Sequence, residues 1–265
     1  MSARWELGFS SCPNDTFVFH ALVHGRVPLA GIELTPVIAD IEALNERALS
    51  EHPLPITKVS VGVLPRLRDR YAVLDAGAAL GHGCGPLVVR RPAGPATLAD
   101  LAGLRVAIPG VHTTAAALLR AFAPPCTEVA MRFEAIMPAL VRGEVEAGVV
   151  IHESRFTYAR AGLERVADLG EVWEADTAMP LPLGVIVARR DLDPSLVAAF
   201  DRALAASVDA AWADPSASRP WIRELAQELD DEVTSQHIAL YVNRWTRSLG
   251  EEGRRALARL VDRVA

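Results

Sequence analysis

Apolar and polar positions change period repeatedly along the chain, and each change predicts an element. Trp5–Phe9 reads as a first strand. It stops at the turn-rich Ser10-Ser11-Cys12-Pro13-Asn14, and Asp15 is expected to open a helix that runs to His24 and ends at Gly25. Ile32–Val37 is a second strand, and Asp40 caps a helix with Ile41, Leu44 and Ala48 on one face. A short strand follows at Ile56–Val59, then a helix over Val61–Arg70 that Pro65 kinks or delays, then a strand at Tyr71–Ala76 and a glycine-rich loop, Gly77–Gly85. Further strands are expected at Pro86–Arg90, Leu104–Ile108, Ala147–Ile151 and Leu183–Ala188. Helices are expected over 113–122, over 133–142 with Gly143 at the end, and then over 194–212, 221–229, 231–242 and 251–264. In the first of these C-terminal helices Leu196, Phe200, Leu204 and Val208 recur every four residues, which buries one face.

Short strands alternating with helices give an α/β fold. Two segments resemble each other: Gly85-Pro-Leu-Val-Val-Arg-Arg91 and Leu183-Gly-Val-Ile-Val-Ala-Arg-Arg190. Each is an apolar strand ending in two arginines, and they read as two crossings between lobes. The expected division is a first lobe of residues 1–91 and 187–265, a second of 92–186, and a substrate cleft between them.

Composition narrows the class of protein. With 265 residues, 51% of them hydrophobic, the chain has enough apolar surface for a large core. A net charge of -6 argues against a nucleic-acid partner, though an acidic protein can still build a pocket for an anionic small molecule. The start lacks a basic segment followed by a long apolar one, and no apolar run has bilayer length, so neither a secretory leader nor a membrane partner is expected. Cys12, Cys84 and Cys126 form no CxxC pair, which fits a reduced cytoplasmic protein without disulfides or a zinc knuckle.

Ligands of open α/β sheets bind beyond the carboxyl ends of the strands. That rule selects Ser10 to Asn14, then Lys58 with Ser60, then Pro109–Thr114, and finally His152 with Glu153. His152 follows a buried strand directly, and an imidazole is the usual proton acceptor near neutral pH. On the residues alone, a histidine hydrogen-bonded for structure stands beside that reading. Glu153 alternates to the other side and reads as a surface or hinge group. The helix opening at Thr113-Thr114-Ala115 offers free N–H groups and hydroxyls for a carboxylate, against the plainer reading of a threonine cap. Lys58 is the sole lysine of the chain, which weakens its reading as a surface residue. His20 and His24 have helical i,i+4 spacing but no visible third ligand, so no metal is expected. Cys12 reads as a buried or bystander thiol rather than a nucleophile.

Taken in order, the motifs are specific. Leu7-Gly-Phe-Ser-Ser-Cys-Pro-Asn-Asp-Thr-Phe17, Thr57-Lys-Val-Ser60, Gly110-Val-His-Thr-Thr-Ala115, Gly143-Glu-Val-Glu-Ala-Gly148 and Val150-Ile-His-Glu-Ser-Arg-Phe-Thr-Tyr158 resemble the 1,4-dihydroxy-6-naphthoate synthase family of the futalosine route to menaquinone. Ser11 stands where that family often has proline. The resemblance implies a two-lobed, periplasmic-binding-protein-like type II fold and cyclic de-hypoxanthine futalosine as small-molecule substrate. It implies His152 as the catalytic proton acceptor. It also implies Lys58, Val59, Ser60, Thr113, Thr114 and Ala115 at the substrate, with Ser10 and Asn14 of the first loop nearby. No cofactor is implied. A solute-binding protein for an organic acid, and a chorismate dehydratase of the same pathway, are the alternatives that share the fold.

Overall fold

The computed structural model describes residues 2–226 and 230–265. Eleven strands occur among them, in two sheets. The first sheet is built from β1 (Ala3–Phe9), β2 (Ile32–Ile38), β3 (Ile56–Ser60), β4 (Tyr71–Val73), β5 (Ala79–Gly81) and β11 (Leu181–Arg189). The second contains β6 (Leu87–Arg90), β7 (Arg105–Ile108), β8 (Thr127–Ala130), β9 (Ala147–Val150) and β10 (Glu164–Asp168). Strand order is β2-β1-β3-β11-β4 in the first, with β5 on β11, and β10-β6-β9-β7-β8 in the second. The strands carrying the expected cleft loops, β1 with β3 and β7 with β9, are parallel neighbours, so their carboxyl ends open toward the same side of each sheet.

The two apolar runs read as crossings each pair within a single sheet, Leu87–Arg90 in the second and Leu181–Arg189 in the first. The chain therefore changes sheets just before Pro86 and again just before Leu181. The apolar runs mark the first full strand after each crossing rather than the crossing itself. The two crossing points lie against each other. Asp168 is paired with Arg155 and accepts from Gly170 N. Arg155 also donates to the carbonyls of Gly85 and Gly83. A Cβ on Gly85 would run into the backbone of Gly170, so only glycine permits this approach.

Twelve α-helices cover the described residues: α1 (Pro13–Val23), α2 (Ile41–Leu49), α3 (Leu64–Leu67), α4 (Thr114–Phe122), α5 (Phe133–Arg142), α6 (Ser154–Thr157), α7 (Leu169–Thr177), α8 (Pro194–Ala213), α9 (Arg219–Leu225), α10 (Asp231–Tyr241), α11 (Arg244–Arg247) and α12 (Gly250–Val264). Helix α1 begins at Pro13 instead of Asp15. Proline fits the first helical position because that amide needs no partner, and the carbonyl of Cys12 accepts from the amides of Asp15 and Thr16. Asp15 is thereby released from capping. Pro65 cuts the expected 61–70 helix into a 3-10 turn at Val61–Val63 and one turn of α3. Helix α5 closes on Gly143 in the left-handed conformation, as its sequence requires. Of the helix expected over 221–229, α9 covers the first part and residues 227–229 lie outside the described residues.

Helix α1 is buried along almost its whole length. One side meets β1 through the stacked rings of Phe9 and Phe19, and the other meets α8, where Ser207 Oγ donates to Val18 O and accepts from Leu22 N. Residues of both sheets, among them Val59, Val185, Val106 and Val149, contribute to one continuous apolar cluster, so the lobes share a core behind the cleft. No helix among the described residues is long and apolar enough to cross a membrane.

Candidate active site

The strand ends converge on one cavity lined from both sheets. Its wall includes Asn14, Lys58, Ser60, Thr113, Thr114, Ala115 and His152, all named from the sequence. Two expected residues are not in that wall. Val59 lies between Lys58 and Ser60 on a strand, so its side chain points to the opposite face and is buried in the core. Ser10 is also buried and spends its hydroxyl on Asp15 at 2.6 Å.

On the first-sheet side, Asp15 organises the polar groups. Its carboxylate accepts from Ser10 N at 3.0 Å and from Asn14 Nδ2 at 2.9 Å, and it pairs with Lys58. Both members of that ion pair are almost fully buried. The Lys58 ammonium rests on this carboxylate of the protein, from which it still borders the cavity. Asp15 was missed because it read as a helix opener. Asn45 holds Ser60 from behind, donating to its hydroxyl at 3.0 Å and accepting from its amide at 2.8 Å.

On the second-sheet side, Thr113 is the cap of α4 and accepts from Ala116 N. The Thr114 hydroxyl donates to Leu183 O at 2.5 Å and accepts from Gly62 N at 3.1 Å. It therefore ties the start of α4 to the first sheet. A carboxylate of the protein already faces this loop: Glu42 accepts from His112 N at 2.9 Å. Together these contacts latch the two sheets across the cleft.

His152 sits in the turn between β9 and α6, with φ at 54°. Non-glycine residues seldom adopt this left-handed backbone, and where they do the surroundings must hold them. Phe133 packs an edge against the imidazole at 5.0 Å. Cys12 Sγ lies 3.2 Å from Nδ1. His152 keeps some accessible surface at the cavity, yet burial first, and the Lys58 charge second, push its pKa down to about 4. It is therefore a neutral imidazole at neutral pH. The Cys12 thiol is driven well above its ordinary value, chiefly by burial and then by Glu153 and Asp15, so it stays protonated. Cys12 is thus a buried, protonated thiol, and the first loop brings it to the histidine from 140 positions away in the chain.

Glu153 is buried rather than on the surface, because the turn at His152 redirects the chain inward. One ligand atom each from Cys12, His152 and Glu153 lie within 4.8 Å of one another, a group that could hold a metal ion. The rings of His20 in α1 and of His24 just after it lie 4.6 Å apart and tilted to each other, and no third ligand joins them among the described residues.

His237, from α10, was not named from the sequence. It is 1% exposed, lines the cavity, and lies nearly parallel to His152 at 6.3 Å. Tyr241, one turn later, packs against it and lines the same wall. The i,i+4 spacing of His237 and Tyr241 was visible in the sequence, but nothing local indicated that this face of the C-terminal helices covers the cleft.

The profile of a family described as menaquinone biosynthesis matches residues 5–265. The chain belongs to this family. It is 54% identical over 255 residues to a protein of Thermus thermophilus named 1,4-dihydroxy-6-naphthoate synthase, covering 96% of this chain and 92% of that one. It is 48% identical over 266 residues to a protein of the same name from Streptomyces coelicolor, covering 98% and 92%. Among solved structures, a protein from Archaeoglobus fulgidus superposes with a TM-score of 0.92 at 34% identity, over 98% of this chain and 96% of that one. The ligand-binding component of an ABC-type import system from Staphylococcus aureus reaches 0.72 at 13% identity, over 98% and 91%. The periplasmic aliphatic sulphonate binding protein of Escherichia coli reaches 0.66 at 12% identity, over 99% and 86%. At those identities the likeness is one of fold. This member of the menaquinone biosynthesis family has the two-lobed, type II periplasmic-binding-protein-like architecture.

Proposed function

We propose that the chain is a 1,4-dihydroxy-6-naphthoate synthase that acts on cyclic de-hypoxanthine futalosine, with His152 as the base. The observation that carries the activity is the near-full-length identity of 54% and 48% to two proteins of that name. The base assignment is supported by the position of a neutral imidazole in the cavity wall.

The substrate presents a ketone with a removable α-proton and an oxygen leaving group in the β-position. His152 takes the α-proton, the electron pair forms the new double bond, and the β-oxygen departs with the sugar-derived fragment. Aromatisation of the ring drives the step forward. The reaction is then of the lyase type, and it requires neither a metal nor a redox cofactor. Cys12 engages Nδ1, so Nε2 is the nitrogen left to accept the proton. A thiol can both donate and accept, so this contact survives when the ring becomes imidazolium. Asp15 and the neighbouring Glu134 favour the charged ring, which helps to hold the proton once it is taken. The latched sheets exclude water from the proton transfer. A cytoplasmic location fits such a biosynthetic role.

Incubation of the purified protein with cyclic de-hypoxanthine futalosine tests the reading. The expected outcome is catalytic release of 1,4-dihydroxy-6-naphthoate. Binding without turnover would instead support a solute-binding protein, and turnover of chorismate alone would support the dehydratase.

A further inference from the structure

His237 carries a polar atom that the protein leaves unused. The hydrogen bonds around it fix its tautomer. Asp15 is paired with Lys58, and a carboxylate in that state can only accept. Asn14 must therefore turn its NH2 group toward Asp15, at 2.9 Å, and its carbonyl oxygen the other way. That oxygen lies 2.9 Å from His237 Nε2, so Nε2 must carry the proton and donate. Burial, then His152 and then Lys58, lowers the pKa of His237 well below 6.5, so the ring is neutral and holds a single proton. Nδ1 is consequently a bare lone pair. It is buried and has no hydrogen-bond partner among the described residues.

A buried acceptor without a donor is costly, and native proteins keep few of them. His237 is in the wall of the cavity, beside Tyr241 and facing the ring of His152. The four-member chain Lys58–Asp15–Asn14–His237 runs from the first sheet to α10 and holds the ring by its other nitrogen.

We infer that His237 is a substrate-recognition residue whose Nδ1 accepts a hydrogen bond from a hydroxyl group of the bound ligand. The inference rests on the enzymatic reading above and adds a specificity determinant to it. Because Asn14 Oδ1 can only accept, the tautomer cannot invert without breaking the chain, and the site prefers a ligand donor at this point over an ether or a carbonyl.

The test compares the unmodified protein with His237→Phe, which keeps a flat ring and removes the acceptor. The probes are cyclic de-hypoxanthine futalosine and analogues in which each hydroxyl in turn is replaced by hydrogen. KM for the parent substrate should rise about tenfold in the variant, the value of one hydrogen bond to a buried group, with kcat within about threefold. One analogue should bind the unmodified protein about tenfold more weakly than the parent does, and should bind the variant no worse than the parent. An unmoved KM, or analogues that lose the same factor on both proteins, would overturn the assignment. Should His237→Phe fold poorly, 15N spectra of histidine-labelled protein carrying His152→Asn give a second measurement. The Nδ1 resonance of a bare imidazole nitrogen should move upfield when the parent substrate binds, and an unchanged resonance at saturation would reject the contact. If the unmodified protein fails to turn over the parent substrate, the proposed function falls and takes this ligand with it. Turnover with no His237 effect removes only the histidine's role.

Discussion

Two imidazoles border one cavity, nearly parallel and 6.3 Å apart, and they are built for opposite tasks. His152 stands in a tight left-handed turn at the end of a buried strand, while His237 stands inside α10. Burial is the leading cause that lowers the pKa of both. Their partners differ. Nδ1 of His152 meets a thiol, which can donate or accept, so the ring can gain and lose a proton while keeping its contact. Nε2 of His237 meets a carbonyl oxygen that is itself fixed by a buried ion pair, so that ring is held in one tautomer. A depressed pKa therefore does not assign a role to a histidine. The freedom of the partner does.

The largest effect should come from His152→Asn. Asparagine tolerates the left-handed backbone at this position better than most residues, so the fold should survive. Turnover should fall by roughly 10²–10⁴-fold, the usual contribution of a positioned base. Single-turnover rate, substrate affinity and melting temperature measured on one sample decide the matter. A folded variant within tenfold of the original rate would end the base assignment and erase the contrast between the two histidines.

Lys58→Met probes the ion pair that anchors His237. Removing one partner of a buried pair costs about 3–5 kcal/mol, and here the lower end is expected because Ser10 and Asn14 still donate to Asp15. The melting temperature should drop by several degrees. The double variant Lys58→Met/Asp15→Leu should recover much of that loss without recovering activity. If Lys58→Met melts as the unmodified protein does, the pair is not what holds this side of the site.

The two histidines also show what could be read from the chain. His152 was legible because Ala147–Val150 is an unbroken apolar strand and the strand-end rule is local. Thr113, Thr114, Ser60 and Asn14 reached the cavity wall by the same rule. His237 was not legible, since its role depends on α10 packing over α1 from more than 200 residues away. Asp15 was misread because Pro13 started the helix two residues early, and this freed its carboxylate for Lys58. Glu153 was misplaced because strand alternation was carried past Val150, where the chain turns. The strands β8 and β10 were missed: each is only half buried and carries charged residues, so neither shows an apolar run.

Cys12 offers a smaller test. If the thiol orients His152, Cys12→Ala should lower kcat about fivefold, near the value of one neutral hydrogen bond, with KM little changed. Cys12→Ser should restore most of it, since a hydroxyl also donates and accepts. Equal loss in both variants would point to sulfur packing rather than to ring orientation.

The smallest expected effect is on the pH profile, and it separates the folded histidine from an ordinary one. With the pKa of His152 near 4, its proton-accepting form is already dominant well below neutrality. Between about pH 8 and about pH 5.5, kcat/KM should change less than about twofold, whereas a base with an unshifted value would lose about tenfold over the same span. Stability should move more than rate. An unfolded histidine takes up its proton as the pH falls through 6.5, but folded His152 takes it up only near 4, so over that window the unfolded chain binds more protons. Stability is then complete above about pH 6.5 and declines as the pH falls toward 4, with His237 and His20 acting in the same direction. Denaturant titrations at several pH values should show a shallower decline for His152→Asn than for the unmodified chain. An acidic limb of kcat/KM near 6.5, together with an unchanged slope of stability against pH in the variant, would mean that His152 titrates as if in water and that the cavity does not bury it.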